Sequence, residues 1–476
     1  NPMKNYESLV TKIEEITEEF KNNLHYNDFE RSLTDLMQQY LAEHIQSVLE
    51  SLMHDKWFMS VLISMAGKRC LSLEGYRLVT VSVLNDQRIL ISVPYFYNRV
   101  KKKKGRKKKG RSKGNNIDCH LGLSIIGMVG SFSGNLASEI CKMALLAPSE
   151  DMAVRLLSDR GVVINVKTLR KMVRDVGQIG LSRRGIISVD QKHTINSGTL
   201  VIGIDGGRLR ERRTKPGRKK QDQQRQGFTT EWKEPVLFTM YLTDDKGNID
   251  KSFQPIYDAT MQGKDQAFGL IEEYLDAIDL SAISRIVFCG DGAPWIWSRA
   301  EALFTRRFQD KQTWQVLDYT HAKQAVDEII DYLPNKCKET DKIRKVLKNA
   351  LWKGEIDTME KIININFTGK RKQKALNKWS NYFRSNEKRM QYSRFSDEGL
   401  PQGSGCVESA IRRVINLRLK SCGSFWKREN AELYLFLRSQ LITGRWNIFF
   451  HNITNRRELF DNQIEIKSND YLKWAA

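Results

Sequence analysis

Apolar residues recur at spacings of three and four from Tyr6 to about Met65, with Leu36, Met37, Tyr40, Leu41 and Ile45 on one face. Neither Pro nor Gly interrupts the chain between Pro2 and Gly67, so this stretch predicts a helical arm. From Leu71 the period falls to two. Val79, Val81 and Val83 recur at every second position, as do Ile89, Ile91 and Val93, and Asn85-Asp86 between them predicts the turn of a β-hairpin. His120 to Gly177 returns to a helical pattern. Within it Ser149 to Ser158 reads as a short helix, Asp159 to Ile164 as a turn around Gly161, and Asn165 as the N-cap of a second helix. That second helix carries Val166, Leu169, Val173 and Val176 on one face and Lys167, Arg170, Lys171 and Arg174 on the other, the division a DNA-binding helix-turn-helix needs.

Beyond Thr199 short apolar runs alternate with amphipathic stretches. A strand ends at Asp205, and a charged, Gln-rich excursion follows from Arg208 to Gly227. Further strands are expected at Val236 to Leu242, through Ile256, at Arg285 to Cys289 and at Thr313 to Leu317. Helices are expected at Gln266 to Ile278, from Ile296 and from His321. Three consecutive strands followed by alternating helices and strands predict an α/β core, a mixed sheet with helices on both faces, beside α-helical N-terminal parts. Between Asp318 and Pro401 the chain is Lys-rich and helical, which reads as an insertion. The expected division is an arm at 1–66, a hairpin and basic loop at 67–118, a helix-turn-helix region at 119–195, the core at 196–320 and 401–476, and the insertion at 321–400.

Composition narrows the partner. In 476 residues, 78 Lys and Arg exceed 56 Asp and Glu, a formal charge of +22 that favours a polyanion, most directly nucleic acid. Part of the excess is a run without any apolar residue, comprising Lys101, Lys102, Lys103, Lys104, Arg106, Lys107, Lys108 and Lys109 and continuing to Lys113; it cannot pack and reads as a DNA-binding arm. No apolar stretch is long enough for a transmembrane helix and no signal-peptide core precedes Met65, so neither a membrane nor a secretory route is expected; the expected location is the cytoplasm, with the nucleoid. Seven scattered cysteines form neither a disulfide framework nor a zinc pattern.

The candidate chemistry rests on three carboxylates. Asp205 ends Leu200-Val201-Ile202-Gly203-Ile204, Asp291 ends Ile286-Val287-Phe288-Cys289-Gly290, and Glu408 lies in Gly403-Ser404-Gly405-Cys406-Val407-Glu408-Ser409, ahead of Arg412, Arg413, Arg418 and Lys420. Asp-Gly alone is a turn dipeptide, and Glu408 alone reads as an i to i+4 partner of Arg412. Two strand-end aspartates that neighbouring strands bring to one sheet edge, with a helix-borne glutamate, make instead the oxygen donor set of a site for two divalent cations and a phosphodiester. Glu231 is a reserve carboxylate. Asp318 and His321 fall just after the last strand, where His321 is a candidate for protonating a leaving group or holding a phosphate, and Asp318 for capping a helix. Trp426, Trp295 and Trp297 are candidates for stacking on an unpaired base, with core packing as the commoner fate of such residues.

The order of elements, the segments Ile204-Asp205-Gly206-Gly207 and Gly290 to Trp297, and the Gly403 to Ser409 segment followed by Arg418-Leu419-Lys420 and Gly423-Ser424-Phe425-Trp426 resemble the DDE transposases of bacterial insertion sequences. The resemblance covers about 196–310 and 400–445. It implies an RNase H-like core, Asp205, Asp291 and Glu408 as the catalytic, metal-binding triad, two Mg²⁺ or Mn²⁺ ions, double-stranded DNA at element ends and target, no small-molecule substrate, and a homodimer or larger synaptic assembly. Asp291 follows Asp205 by 86 residues (291 − 205) and Glu408 follows Asp291 by 117 (408 − 291), the longer interval holding the helical insertion. A nuclease that only hydrolyses and an inactive transposase-derived DNA-binding protein are the alternatives.

Overall fold

The computed structural model describes residues 2–68, 71–98, 117–185, 189, 198–217, 226–334 and 338–455. The basic run from Lys101 to Lys113 lies outside them. The chain gathers into two compact units, 1–180 with 450–476, and 181–449.

In the first unit, α1 (Pro2–Asn23) and α2 (Tyr26–His54) form a helical hairpin closed by Phe20 stacking on Phe29 at 4.7 Å. After α3 (Lys56–Lys68), β1 (Ser72–Ser82) and β2 (Arg88–Asn98) pair antiparallel, and β3 (Ile117–Cys119), a strand the sequence pattern does not announce, adds to β2. The alternating Val81, Ile89, Ile91 and Val93 are buried with Met53, Phe58 and Leu62 of the helices. Then come α4 (Leu121–Ile125), α5 (Gly134–Leu146), α6 (Glu150–Ser158) and α7 (Val166–Ser182). Ser149 caps α6 through Met152 N, and Asn165 accepts from Thr168 N at 2.9 Å at the start of α7. Gly161 takes φ +80° in the turn, the left-handed conformation that favours glycine. Leu169, Val173 and Val176 of α7 are buried while Lys167, Arg170, Lys171 and Arg174 face solvent, Arg170 pairing with Glu150 of α6.

The second unit is built on β4 (Thr199–Gly206), followed by β5 (Leu209–Thr214), β6 (Phe228–Lys233), β7 (Val236–Thr243) and β8 (Ile256–Thr260). Then follow α8 (Lys264–Asp276), β9 (Arg285–Gly290), α9 (Pro294–Arg307) and β10 (Gln312–Leu317). Five of these strands form a mixed sheet in the order β10-β9-β4-β7-β8; β4, β9 and β10 run parallel, and β7 is antiparallel to both β4 and β8. Consecutive residues of β4, β7, β8 and β9 are buried without alternation, so both faces of the sheet are covered. The third sheet strand starts at Ile256, later than the sequence suggested, because Asp250 to Phe253 turn first. The excursion after Asp205 is not an open loop where it is described: β5 and β6 form a separate two-stranded ribbon.

Helices α10 (Tyr319–Ile330), α11 (Thr340–Lys353), α12 (Ile356–Asn366), α13 (Gly369–Lys378) and α14 (Tyr392–Asp397) follow β10. Their Leu347, Met359 and Tyr392, with Phe383 from the turn between α13 and α14, join one continuous apolar core with the sheet residues Ile202, Phe238 and Phe288. Finally α15 (Gly405–Ile411) lies on β4 and β7, α16 (Arg428–Ile442) lies on β8, and α17 (Trp446–Thr454) ends the described chain.

A buried ion cluster ties the segment ahead of β4 to β8 and α16. The Arg184 guanidinium donates to both Asp258 oxygens at 2.7 Å and to Glu432, which also accepts from Thr260 and Met261 N. Removing the cation leaves two buried carboxylates facing each other uncompensated, which costs far more than the intact cluster contributes. Arg184→Met is expected to lower unfolding free energy by about 3–5 kcal/mol at pH 7. A urea titration showing under about 1 kcal/mol would refute this.

Candidate active site

The site forms where three parallel strands end together. β4 and β9 pair from Thr199 opposite Arg285 to Gly203 opposite Cys289, an offset of 86 (285 − 199), so Asp205 and Asp291 occupy the same level two residues on. β10 pairs with β9 up to Leu317 opposite Gly290, which sets Asp318 level with Asp291. Residues level across a parallel ladder point to one side of the sheet. Three aspartates therefore form a row at one sheet edge.

Each has its own environment. Asp205, half-buried, accepts from Gly206 N at 2.6 Å; burial, the main cause, with the charges of Asp291 and Glu408, pushes its carboxyl up to about 6 despite that bond and His321. Asp291 accepts from Ala293 N at 2.8 Å, which shapes the turn into α9. Asp318 is buried and acts as a clamp. One oxygen caps α10 by accepting from His321 N at 2.8 Å; the other takes both Ser404 N and Ser404 Oγ from the turn ahead of α15. Burial raises the Asp318 pKa, but the bonds from His321 and Ser404 outweigh it and hold the carboxyl well below the usual carboxylate range. His321 Nδ1 stands 3.3 Å from Asp318 Oδ1, within ion-pair reach but off line for a good hydrogen bond. Asp318, then Asp205 and Asp291, raise the imidazole pKa against partial burial and favour the protonated ring.

Glu408 is exposed on α15, and among the described residues its carboxylate has no hydrogen-bond or ion-pair partner, so the expected pairing with Arg412 is absent. Its helix is seated by the residue before it: a Cβ on Gly203 would lie 2.3 Å from Val407 Cγ2. Close approach at the bare Gly203 thus brings α15 down onto β4. From the helices after β10, the Tyr382 ring covers Gly292 so closely that a Cβ there would sit 2.5 Å from it. Burial raises the phenol pKa, and the negative charges of Asp291 and Asp318 add to it. Tyr382 lies on a π-helical turn, Trp379–Phe383, and a second, Arg412–Asn416, follows α15. Tyr382 carries no sequence motif; only the bare Gly292 beside Asp291 points to a close neighbour.

Other expected site residues are placed elsewhere. Glu231 stands on the ribbon, paired with Lys233 at 2.8 Å on its own strand and with Arg213 of the neighbouring strand, so it has cations of its own. Arg418 is buried against Trp426 and Tyr434, so it is packing rather than a DNA-facing cation. Trp426 is buried and donates its indole N–H to Leu419 O, and Trp297 is buried too, so neither offers a stacking face. Arg413 is held half-buried by Tyr257 OH at 2.9 Å, leaving Arg412 and Lys420 as the exposed cations after Glu408.

As a metal centre, the donors fit in kind: hard carboxylate oxygens, one held at an elevated pKa by burial and like charge, another without a partner. They are not drawn into a closed cage, since no group of three or more His, Cys, Asp or Glu side chains among the described residues is gathered tightly enough to hold an ion.

Asp318→Ala is expected to cost about 2–4 kcal/mol at pH 7, because Ser404 and the start of α10 lose a charged acceptor. A carboxyl with a depressed folded pKa stabilises above its unfolded value, near 3.8, and loses that contribution as pH falls toward the folded value. The deficit of the variant should therefore shrink below pH ~4, which urea titrations from pH 3 to 7 will show. A deficit independent of pH would exclude the clamp.

No protein-family model and no curated protein matches the sequence. Among solved structures, the Drosophila P element transposase strand transfer complex aligns with 68% of this chain and 94% of that chain, at a TM-score of 0.32 and 10% identity. Likeness of this extent fixes neither family nor activity. No helix among the described residues is long and apolar enough to cross a membrane.

Proposed function

We propose that this chain is a DNA transposase with an RNase H-like core, in which Asp205, Asp291 and Glu408 form the catalytic triad that cuts and joins DNA strands. The observation that carries the reading is the level placement of Asp205 and Asp291 on adjacent parallel strands, with α15 seated on the same strand so that the Glu408 charge reaches Asp205. The strand order supports it, with an antiparallel β4-β7-β8 set extended past β4 by parallel β9 and β10. Two Mg²⁺ or Mn²⁺ ions held by these carboxylates would supply activation of the attacking oxygen and charge stabilisation at the leaving oxygen.

The chain's own residues do the rest. Strand ends hold Asp205 and Asp291 rigidly, and Asp318 fixes the turn that delivers Glu408. His321, with its raised pKa, is positioned to keep a proton at the row of aspartates, for a leaving oxygen or a phosphate. Arg412 and Lys420 offer exposed charge for the DNA backbone, and the exposed basic face of α7 is suited to an element end. The expected partners are double-stranded DNA and further copies of this chain.

The test is Mg²⁺- or Mn²⁺-dependent cleavage and joining on DNA bearing the element's own ends, with Asp205→Asn, Asp291→Asn and Glu408→Gln beside the unaltered chain. Loss of both reactions with DNA binding retained supports the reading. Cleavage without joining of a pre-cut end makes the protein a nuclease, and activity surviving Glu408→Gln removes that residue from the triad.

A further inference from the structure

The ribbon has two unlike faces. Pairing of β5 with β6 sets Arg210 opposite Trp232, Arg212 opposite Thr230 and Thr214 opposite Phe228, so these six side chains share one face. The other face carries Glu211, Arg213, Glu231 and Lys233, which neutralise one another through contacts of 2.8 to 3.5 Å. The first face has no acidic residue. Arg210 lies 5.5 Å from the Trp232 ring and 4.7 Å from the Phe425 ring and donates to Ser421 O at 3.4 Å, while Arg212 lies 5.7 Å from the Phe228 ring, which packs on Phe425 at 5.5 Å; neither arginine has a carboxylate partner among the described residues. Trp232 is 51% and Phe228 42% exposed, so both rings offer aromatic surface to a ligand. The platform is also rigid: Trp426 pairs its backbone with β5, through Arg212 N to Trp426 O at 2.8 Å and Trp426 N to Arg210 O at 2.9 Å.

We infer that this face binds a single-stranded DNA segment, with bases stacked on Trp232 and Phe228 and phosphates met by Arg210 and Arg212. Aromatic faces interleaved with guanidinium groups that no carboxylate neutralises suit unpaired bases and their backbone, whereas duplex DNA hides its base faces. A ring with an arginine near it gains cation–π attraction while a base stacks on the open side. Arg210 follows Asp205 by five residues, so at full extension the platform begins within about 18 Å of the carboxylate row. A strand lying on it is within a few nucleotides of that row. The inference rests on the proposed function for the choice of DNA as polyanion, but its test needs neither metal nor cleavage.

In an Asp205→Asn background, the full chain is titrated into labelled single-stranded and duplex oligonucleotides of equal length without divalent metal, followed by anisotropy. Trp232→Ala and Phe228→Ala are each expected to weaken single-strand binding by about 5- to 100-fold and duplex binding by less than about twofold. Arg213→Ala, on the opposite face, should change neither. Because both rings are exposed, unchanged melting temperatures are expected and checked. Equal losses on duplex and single strand, or unchanged binding, overturn the inference; so does a drop in oligomer size on Trp232→Ala, which would make the face an interface between copies. Absence of cleavage by the unaltered chain would count against the transposase reading and leave this result standing.

Discussion

Asp205→Asn should abolish strand cleavage, by a thousandfold or more on the order of other losses of electrostatic catalytic groups, while making the protein more stable. A carboxyl whose folded pKa is raised from 3.8 to about 6 binds its proton more tightly folded than unfolded. Its ionisation therefore opposes folding: the native state gives up stability as pH rises from about 4 through 6, and above that the full cost is present. Removing the charge should recover on the order of 1–3 kcal/mol at pH 7, and almost nothing at pH 3.5. The unaltered chain should also melt at a higher temperature with Mg²⁺ or Mn²⁺ added, because ions binding the folded state offset the same repulsion, and the variant should respond much less. Calorimetry at pH 3.5 and 7, with and without metal, checks all of this. Asp205→Asn melting below the unaltered chain at pH 7 would contradict the charge environment described for this carboxyl.

The second large effect is expected at a residue with no functional group. Gly203→Ala places a methyl 2.3 Å from Val407 Cγ2 and 3.1 Å from Thr239 Oγ1, inside a β-branched neighbour that cannot swing away. Overpacking of this kind costs about 1–3 kcal/mol, and its relief is to lift α15 from the sheet. Because Glu408 follows Val407, cleavage should fall by roughly tenfold to a hundredfold through misplacement, with DNA binding intact. Val407→Ala added to Gly203→Ala should restore much of both stability and cleavage. A double-mutant cycle with a coupling energy below ~0.5 kcal/mol would show that the two residues do not hold the helix down.

The legible part of the site came from spacing that the sheet converts into register. The 86 residues between Asp205 and Asp291 equal the pairing offset of β4 and β9, so reading both as strand ends places them side by side. Apolar runs marked β4, β7 and β9 because those strands are buried on both faces, whereas β8 begins at Ile256, where the expected strand ended. The ribbon left no such mark: in β6 only Lys233 is even partly buried, and β5 alternates Leu209 and Glu211 inward with arginines outward, so apolar periodicity is silent there. Arg418 departs from expectation for the opposite reason. Its charge suggested exposure, whereas the Trp426 and Tyr434 rings give a guanidinium a buried resting place. The Asp318 clamp joins residues 86 positions apart through a turn, a relation that local patterns do not express.

That clamp also has an evolutionary consequence. Asp318 and Ser404 are bonded to each other, and Tyr319 N bonds Gln402 O at 3.0 Å, so the chain leaves the carboxylate row and returns to it at one place. Whatever is carried between those points hangs from a closed neck. The helices from α11 to α14 can then be lengthened, shortened or replaced, provided each replacement still covers the sheet, without altering where Glu408 arrives.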